Sequence, residues 1–221
     1  LGDVYKRQNG NLSLGIGNII GSNIANSLVA ISVLYLALNR DFKKKLNLNN
    51  TSSIWMVFAT VLFVSFYLIL KEFPLFLGIG LLGLVIFVTY KLVTVEAGDL
   101  EYLLIEEKDY VGLRAIASLT ATIFGSTLVV NNAVDLAEYF NISSIIIGVT
   151  VVALGTSLPE VAGTIAAAKM KNPDIVFGNI FGSNLFNIAL VGGVSVSIAP
   201  GLIEPDVTAE MIIMLVASII C

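Results

Sequence analysis

Apolar residues in this chain fall in long blocks rather than in the one-sided stripes of a soluble helix. The blocks occupy residues 14–38, 54–70, 75–93, 113–140, 142–168 and 175–199. A helix needs about 20 mostly apolar residues to cross the hydrocarbon of a bilayer, so the pattern predicts six membrane spans. A seventh opens near Val207 and is cut short at Cys221. A segment in lipid must satisfy its own backbone, which a helix does. The expected fold class is therefore an all-α, multi-spanning helical bundle.

Composition agrees: of 221 residues 57% are hydrophobic and only 13% charged, and the mean hydropathy of +0.92 is far above that of a domain that must keep a wet surface. Charge then orients the chain. The densest cationic cluster, Arg40, Lys43, Lys44 and Lys45, lies between the first two spans, which places that loop in the cytoplasm. Counting crossings from it brings Lys91, Lys108, Arg114, Lys169 and Lys171 to the same face and leaves Lys71 as the one cation in an outer loop. The acidic stretch 96–109 also falls inside, where acids weigh little in the rule. A net charge of -4 with no basic face offers nothing to nucleic acid. With one cysteine and no histidine, an internal disulfide is impossible, and zinc sites and catalytic triads lose their usual ligand or base.

Internal repetition changes the picture. Gly17-Asn18-Ile19-Ile20-Gly21-Ser22-Asn23-Ile24-Ala25-Asn26 recurs as Gly178-Asn179-Ile180-Phe181-Gly182-Ser183-Asn184-Leu185-Phe186-Asn187, with every Gly, Asn and Ser position matched. The copies open the first and sixth spans, and an odd number of crossings between them makes them run in opposite directions. Inverted repeats of this kind build many secondary transporters, with the site at the repeat interface near the midplane. Small residues at this spacing also let helices approach closely, which accounts for Gly17, Gly21, Gly178 and Gly182. It does not account for three asparagines per copy, each with an amide that needs a partner in lipid.

The fifth span carries Ala153-Leu154-Gly155-Thr156-Ser157-Leu158-Pro159-Glu160. Pro159 has no N–H for the carbonyl of Gly155, which predicts an interrupted helix with freed backbone oxygens. Such a break is tolerated in hydrocarbon only where it faces protein or a water-filled cavity. Glu160 is the only acid between Asn141 and Lys169, and an unpartnered ionisable group in mid-span costs at least about 2.5 to 3.5 kcal/mol. No Lys, Arg or His in that span neutralises it, so a bound cation is the natural partner. Thr156 and Ser157 precede Glu160 by four and three residues and can share its face. Ser22 with Asn26 and Ser183 with Asn187 are likewise four apart. Carboxylate, hydroxyl, amide and backbone oxygens suit hard cations such as Na+ or Ca2+, the latter taking about six to eight. The alternative for Glu160, a protonated acid hydrogen-bonded in the bundle, gives no reason for the neighbouring proline.

GTSLPE followed by GNIFGSNLFN resembles the second alpha-repeat of the sodium/calcium exchanger group within the cation/calcium antiporter superfamily, and GNIIGSNIAN resembles the later half of the first. The resemblance covers nearly the whole chain after residue 8 and rests on a specific combination, since GSN alone would be weak. It implies a bundle of about ten spans, of which this chain holds the third to the eighth and most of the ninth, about seven in all. It further implies that Glu160 is the main Ca2+ carboxylate of the second repeat and that Thr156 and Ser157 serve Na+ with the carbonyl of Ala153. Ser22, Asn26, Ser183 and Asn187 would stand around the central site, with Gly21 and Gly182 in the same ligand set. Some family members carry aspartate at the position of Asn187, an acid associated with K+ co-transport, so its absence argues against K+ dependence. The partner GTSxPE-type helix expected upstream of Leu12 is missing, which implies a piece that does not transport alone.

The expected division is residues 1–8, reading LGDVYKRQ, which resembles a translated sequencing adapter; 9–93, the later part of the first repeat with three spans; 94–111, a cytoplasmic linker; and 112–221, the second repeat without its last helix. Asn131, Asn132, Asp135 and Glu138 fall towards the outer end of the fourth span, and Glu204, Asp206 and Glu210 in or beside an outer loop. The expected function is Na+/Ca2+ antiport by alternating access in a prokaryotic inner membrane, with the ions and the lipid bilayer as partners, no cofactor and no enzymatic chemistry. Two other readings stay open: H+/cation exchange with Glu160 carrying the proton, and a membrane scaffold, which would not need Glu160.

Overall fold

The computed structural model describes residues 2–30, 32, 51–96, 111–170, 173–203 and 206–221. Among them α1 covers Gly2–Ala25 and continues through a π turn, Asn26–Ala30. Helices α2, α3 and α4 are Thr51–Leu70, Leu75–Glu96 and Val111–Tyr139. Helix α5 joins Ser144–Ile147, a π turn at Gly148–Val152, and Ala153–Lys169. Helix α6 joins Pro173–Phe186, a π turn at Asn187–Gly192, and Gly193–Ile198. Helix α7 is Thr208–Ile220. Within the described residues the apolar blocks are thus helical, in an all-α bundle. The cations Arg40 to Lys45, Lys108 and Lys171, most of the linker 94–111 and Glu204 lie outside the described residues.

Among the described residues three helical stretches are long and apolar enough to cross a bilayer by length and composition: Ser52–Leu70, Ile145–Lys169 and Ile175–Ile198. Leu75–Lys91 and Thr208–Ile220 are shorter apolar helices. Helix α1 starts at Gly2, well before the apolar block at Leu14. No proline intervenes, and extending a helix is far easier than starting one.

Polarity is inside out relative to a soluble bundle. Ile69, Ile86 and Ile198 are 78%, 71% and 77% exposed, while Asn23, Thr60, Thr164 and Asn184 are fully buried. Hydrocarbon as the outer solvent accounts for both, because it accepts isoleucine and gives an amide or hydroxyl no partner. The apolar core gathers Ile16, Ile19 and Ile20 of α1, Phe63 and Tyr67 of α2, Phe181 of α6 and Met211 of α7.

Helix directions follow from which residues meet. Against α6, rising numbers on α1 meet falling ones: Gly15 lies beside Ser195 and Ile19 beside Gly192, Asn23 bonds Asn187 and Asn26 bonds Asn184. The two copies of the motif are therefore antiparallel, and the repeat is inverted as its spacing predicts. Against α5 the numbers rise together, from Gly17 at Ile145 to Gly21 at Val149 and Ala153, so α1 and α5 run parallel. That contact is tight: a Cβ on Gly17 would stand 2.7 Å from the Ile145 carbonyl oxygen, and one on Gly21 would run into the Val149 carbonyl.

Pro159 does not interrupt α5, contrary to expectation. The helix is continuous over Ala153–Lys169, and the departure from α geometry is the π turn upstream, at Gly148–Val152. Unwinding in hydrocarbon would strip several N–H and C=O groups of partners, whereas a continuous helix forgoes only the Gly155 bond.

At one end of the bundle the turn after α2 is tied to the turn after α6. Strand β1, Glu72–Phe73, pairs antiparallel with β2, Gly201–Leu202, Glu72 opposite Leu202. Lys71 takes a left-handed conformation to enter β1, with φ of 58°. Phe73 stacks on Phe63 at 4.6 Å. Tyr67 Oη donates to Asp206 Oδ1 at 2.6 Å and accepts the Val207 N–H at 2.9 Å. Lys71 Nζ donates to Thr208 Oγ1 at 2.5 Å and lies 3.6 Å from Asp206 Oδ1. Lys71 and Asp206 thus share one end, as the crossing count requires.

Two predictions follow from the packing. Replacing Gly21 by Ala should destabilise the bundle by about 1–3 kcal/mol, since α1 and α5 must part. Gly80, which has open space around it, should tolerate Gly80→Ala with a gain of up to about 1 kcal/mol in helix propensity; thermal unfolding in detergent compares them. Hydrogen bonds from Thr208 first, and then Tyr67, hold the Asp206 carboxyl down to about 2. Its contribution is therefore complete above the ordinary carboxyl range and fades as pH falls towards 2. The melting temperatures of wild type and Asp206→Asn should differ at pH 7 and converge near pH 2.

Candidate functional site

The oxygens singled out in the sequence lie where α5 meets the two copies of the motif. Glu160 is half-buried on α5 and faces α6 across an open groove of about 420 Å³, lined by Pro159, Gly178, Asn179, Gly182, Ser183 and Phe186 as well as Glu160. Its Oε2 is buried with no hydrogen-bond partner. The groove forms because Gly178 and Gly182 present no side chain there and nothing stands within 4 Å of where their Cβ atoms would be. Their counterparts Gly17 and Gly21 are pressed against α5, so Gly21 serves the helix contact while Gly182 lines the groove. Among the described residues the small face of α1 meets α5, and no residue meets that of α6 at Gly178 and Gly182.

Ser183 connects this groove to α1. Its hydroxyl lies 2.7 Å from the Asn179 carbonyl oxygen and accepts a bond from Asn26 Nδ2 at 3.2 Å. Asn26 also donates to Asn184 Oδ1 at 3.1 Å, and its own Oδ1 is buried without a partner. Asn187 does not line the groove; its Nδ2 donates to Asn23 Oδ1 at 3.0 Å. Both Asn26 and Asn187 begin a π turn, at equivalent positions of the two copies. π turns inside α-helices occur frequently at functional sites.

A second oxygen cluster joins α1 to α5. Ser22 Oγ is 3.4 Å from the Ala153 carbonyl oxygen, 3.2 Å from Thr156 Oγ1 and 3.3 Å from Asn18 Oδ1. Thr156 Oγ1 is in turn 2.9 Å from Asn18 Oδ1. Ser157, one residue on, is buried, and its hydroxyl has no partner. Among the described residues Asn26 Oδ1, Ser157 Oγ and Glu160 Oε2 are thus buried oxygens of α1 and α5 without a partner. Among the described residues no cluster of three or more Asp, Glu, His or Cys side chains exists. Among the residues lining the groove Glu160 is the only acid.

Sequence reasoning passed over Asn179. Its Nδ2 donates to the Glu160 carbonyl at 2.9 Å and to Thr164 Oγ1 at 3.1 Å, which fixes α6 against the turn of α5 that carries the carboxylate. The available signal was the first asparagine of the repeat, but spacing alone could not tell which amide braces a helix and which faces a site.

The sequence profile of the sodium/calcium exchanger protein family matches residues 4–94 and 111–221, most of the chain. The chain belongs to the sodium/calcium exchanger family. Relatives include CaxA of Alkalimonas amylolytica, a candidate antiporter by its name, 32% identical over 212 residues that cover 88% of this chain and 64% of CaxA. MaX1 of Methanosarcina acetivorans, a sodium/calcium exchanger, is 38% identical over 91 residues, covering 41% of this chain and 26% of MaX1. Among solved structures, the sodium-calcium exchanger NCX_Mj soaked with Na+ and Sr2+ superposes with a TM-score of 0.63 at 26% identity, over 94% of this chain and 67% of NCX_Mj. The chain thus spans less than two thirds of the length of the relatives CaxA and MaX1. Family membership agrees with the inverted repeat and makes this an integral, multi-pass membrane protein of a transporter family.

Proposed function

We propose that this chain forms the ion-binding core of an antiporter that exchanges Na+ for Ca2+ by alternating access, in a prokaryotic inner membrane. One observation carries the reading: Glu160 faces the Asn179–Ser183 wall of the second repeat with a buried oxygen that no group among the described residues satisfies. A carboxylate at that depth needs a partner, and a hard cation is one that oxygen ligands can hold. In this reading Glu160 supplies the charge, and Ser183, Asn26, Asn187 and Ser157 supply neutral oxygens. The cluster of Ser22, Thr156 and the Ala153 carbonyl takes Na+. The two ions compete for one negative charge, so exposing the site alternately to the two sides lets the gradient of one drive the other. Residues 9–93 supply the later part of the first repeat and 112–221 the second repeat without its last helix, joined through a cytoplasmic linker, 94–111.

The test is Glu160→Gln in the full-length protein, which keeps size and polarity and removes the charge. Na+-gradient-driven uptake of radiolabelled Ca2+ into vesicles should fall to background while the melting profile stays cooperative. Undiminished uptake overturns the site. Uptake in the wild type that follows a pH gradient and ignores Na+ makes H+ the coupled ion instead.

A further inference from the structure

The six asparagines of the two motif copies divide into three pairs by what they touch. Asn18 and Asn179 bond to α5. Asn26 and Asn187 start the two π turns. The remaining pair, Asn23 and Asn184, is fully buried at the α1–α6 crossing, with both ends of each amide engaged. Asn23 Nδ2 donates to the main-chain carbonyl of Asn184 at 3.2 Å, and Asn23 Oδ1 accepts from Asn187 Nδ2 at 3.0 Å. Asn184 Nδ2 donates to Ser27 Oγ at 2.9 Å and lies 3.6 Å from Met56 Sδ, and Asn184 Oδ1 accepts from Asn26 Nδ2 at 3.1 Å. The bond from Asn26 to Asn184 and the bond from Asn187 to Asn23 are one interaction made twice, with the copies exchanged.

The polarity of these bonds has chemical content. A primary amide offers two N–H donors on one side and an acceptor on the other, so fixing the nitrogen decides where the oxygen goes. A main-chain carbonyl can only accept, so the bond from Asn23 Nδ2 to the Asn184 carbonyl sends Asn23 Oδ1 to meet Asn187. On the other arm Asn26 spends its donors on Asn184 Oδ1 and Ser183 Oγ, and its oxygen is left buried and free. Turning the Asn26 amide over would set its oxygen against the Asn184 oxygen and put N–H groups where a cation would lie.

We infer that Asn23 and Asn184 are positioning residues that lock the side-chain amides of Asn187 and Asn26 with their oxygens, not their nitrogens, presented to the transported cation. The inference rests on the exchange reading of the site and gives the middle asparagine of each GSN triplet a role distinct from ligation. It also explains why two amides are carried into the centre of the crossing when neither has an unsatisfied atom to offer an ion.

The test uses the full-length protein in detergent and reads the Ca2+ concentration that gives half-maximal thermal stabilisation. Asn184→Leu keeps the volume and removes the acceptor, and it should raise that concentration by about 10- to 100-fold, the usual effect of losing a group that orients a metal ligand. In an Asn26→Ala background the same change should add no further loss, because the amide it orients is gone. A merely structural role would give additive losses in affinity, and additive losses overturn the inference. If Asn184→Leu does not fold, Asn23→Ala with and without Asn187→Ala carries the same comparison, with the same two outcomes. A wild-type protein that neither Ca2+ nor Na+ stabilises sinks the exchange reading itself, and the inference with it.

Discussion

An amide or a carboxylate carried into hydrocarbon finds no water there, so the protein must supply its partner. This chain brings six asparagines, three per motif copy, to two helices of opposite direction. Most of what surrounds them answers to that requirement. The antiparallel crossing of α1 and α6 lets the same amide contact form twice, from Asn26 to Asn184 and from Asn187 to Asn23. Shifting either helix by one residue along the other would break both bonds together. The register of the crossing is thus set by hydrogen bonds that have no competitor in lipid, and apolar packing fills in around them.

Glycine decides how the third helix, α5, joins. Gly17 and Gly21 allow α5 to lie against α1 at backbone distance, which brings the Ala153 carbonyl and the Thr156 hydroxyl to Ser22. Among the described residues nothing meets the equivalent glycines of α6, which line a groove beside Glu160. Glu160 faces that groove, beside the Ser183 hydroxyl and the Asn179 amide.

Away from the crossing, the ribbon of β1 and β2 and the Tyr67–Asp206–Thr208 hydrogen bonds connect the end of α2 to the start of α7. Polar contacts suit that position, because water can reach them and charge need not be buried. The contrast between a charged clasp at the end of the bundle and a neutral amide network in its middle follows the dielectric profile of a membrane.

Much of this was legible in one dimension. Counting apolar residues located the helices, counting crossings made the repeat inverted, and the lone acid of the fifth span marked Glu160, because composition and order need no partner to be read. Three features needed the folded chain. Continuity through Pro159 depends on the penalty of unwinding in a packed bundle, which local propensity does not contain. The close contact of Gly21 depends on α5 lying opposite it. The direction of every amide, and therefore which oxygens of Asn26 and Asn184 are free and which are bonded, depends on donors and acceptors roughly 160 positions away in sequence. Residue types and spacing determined that polar groups would meet at the crossing; only their three-dimensional neighbours decided which of them bind one another and which oxygens are left without a partner.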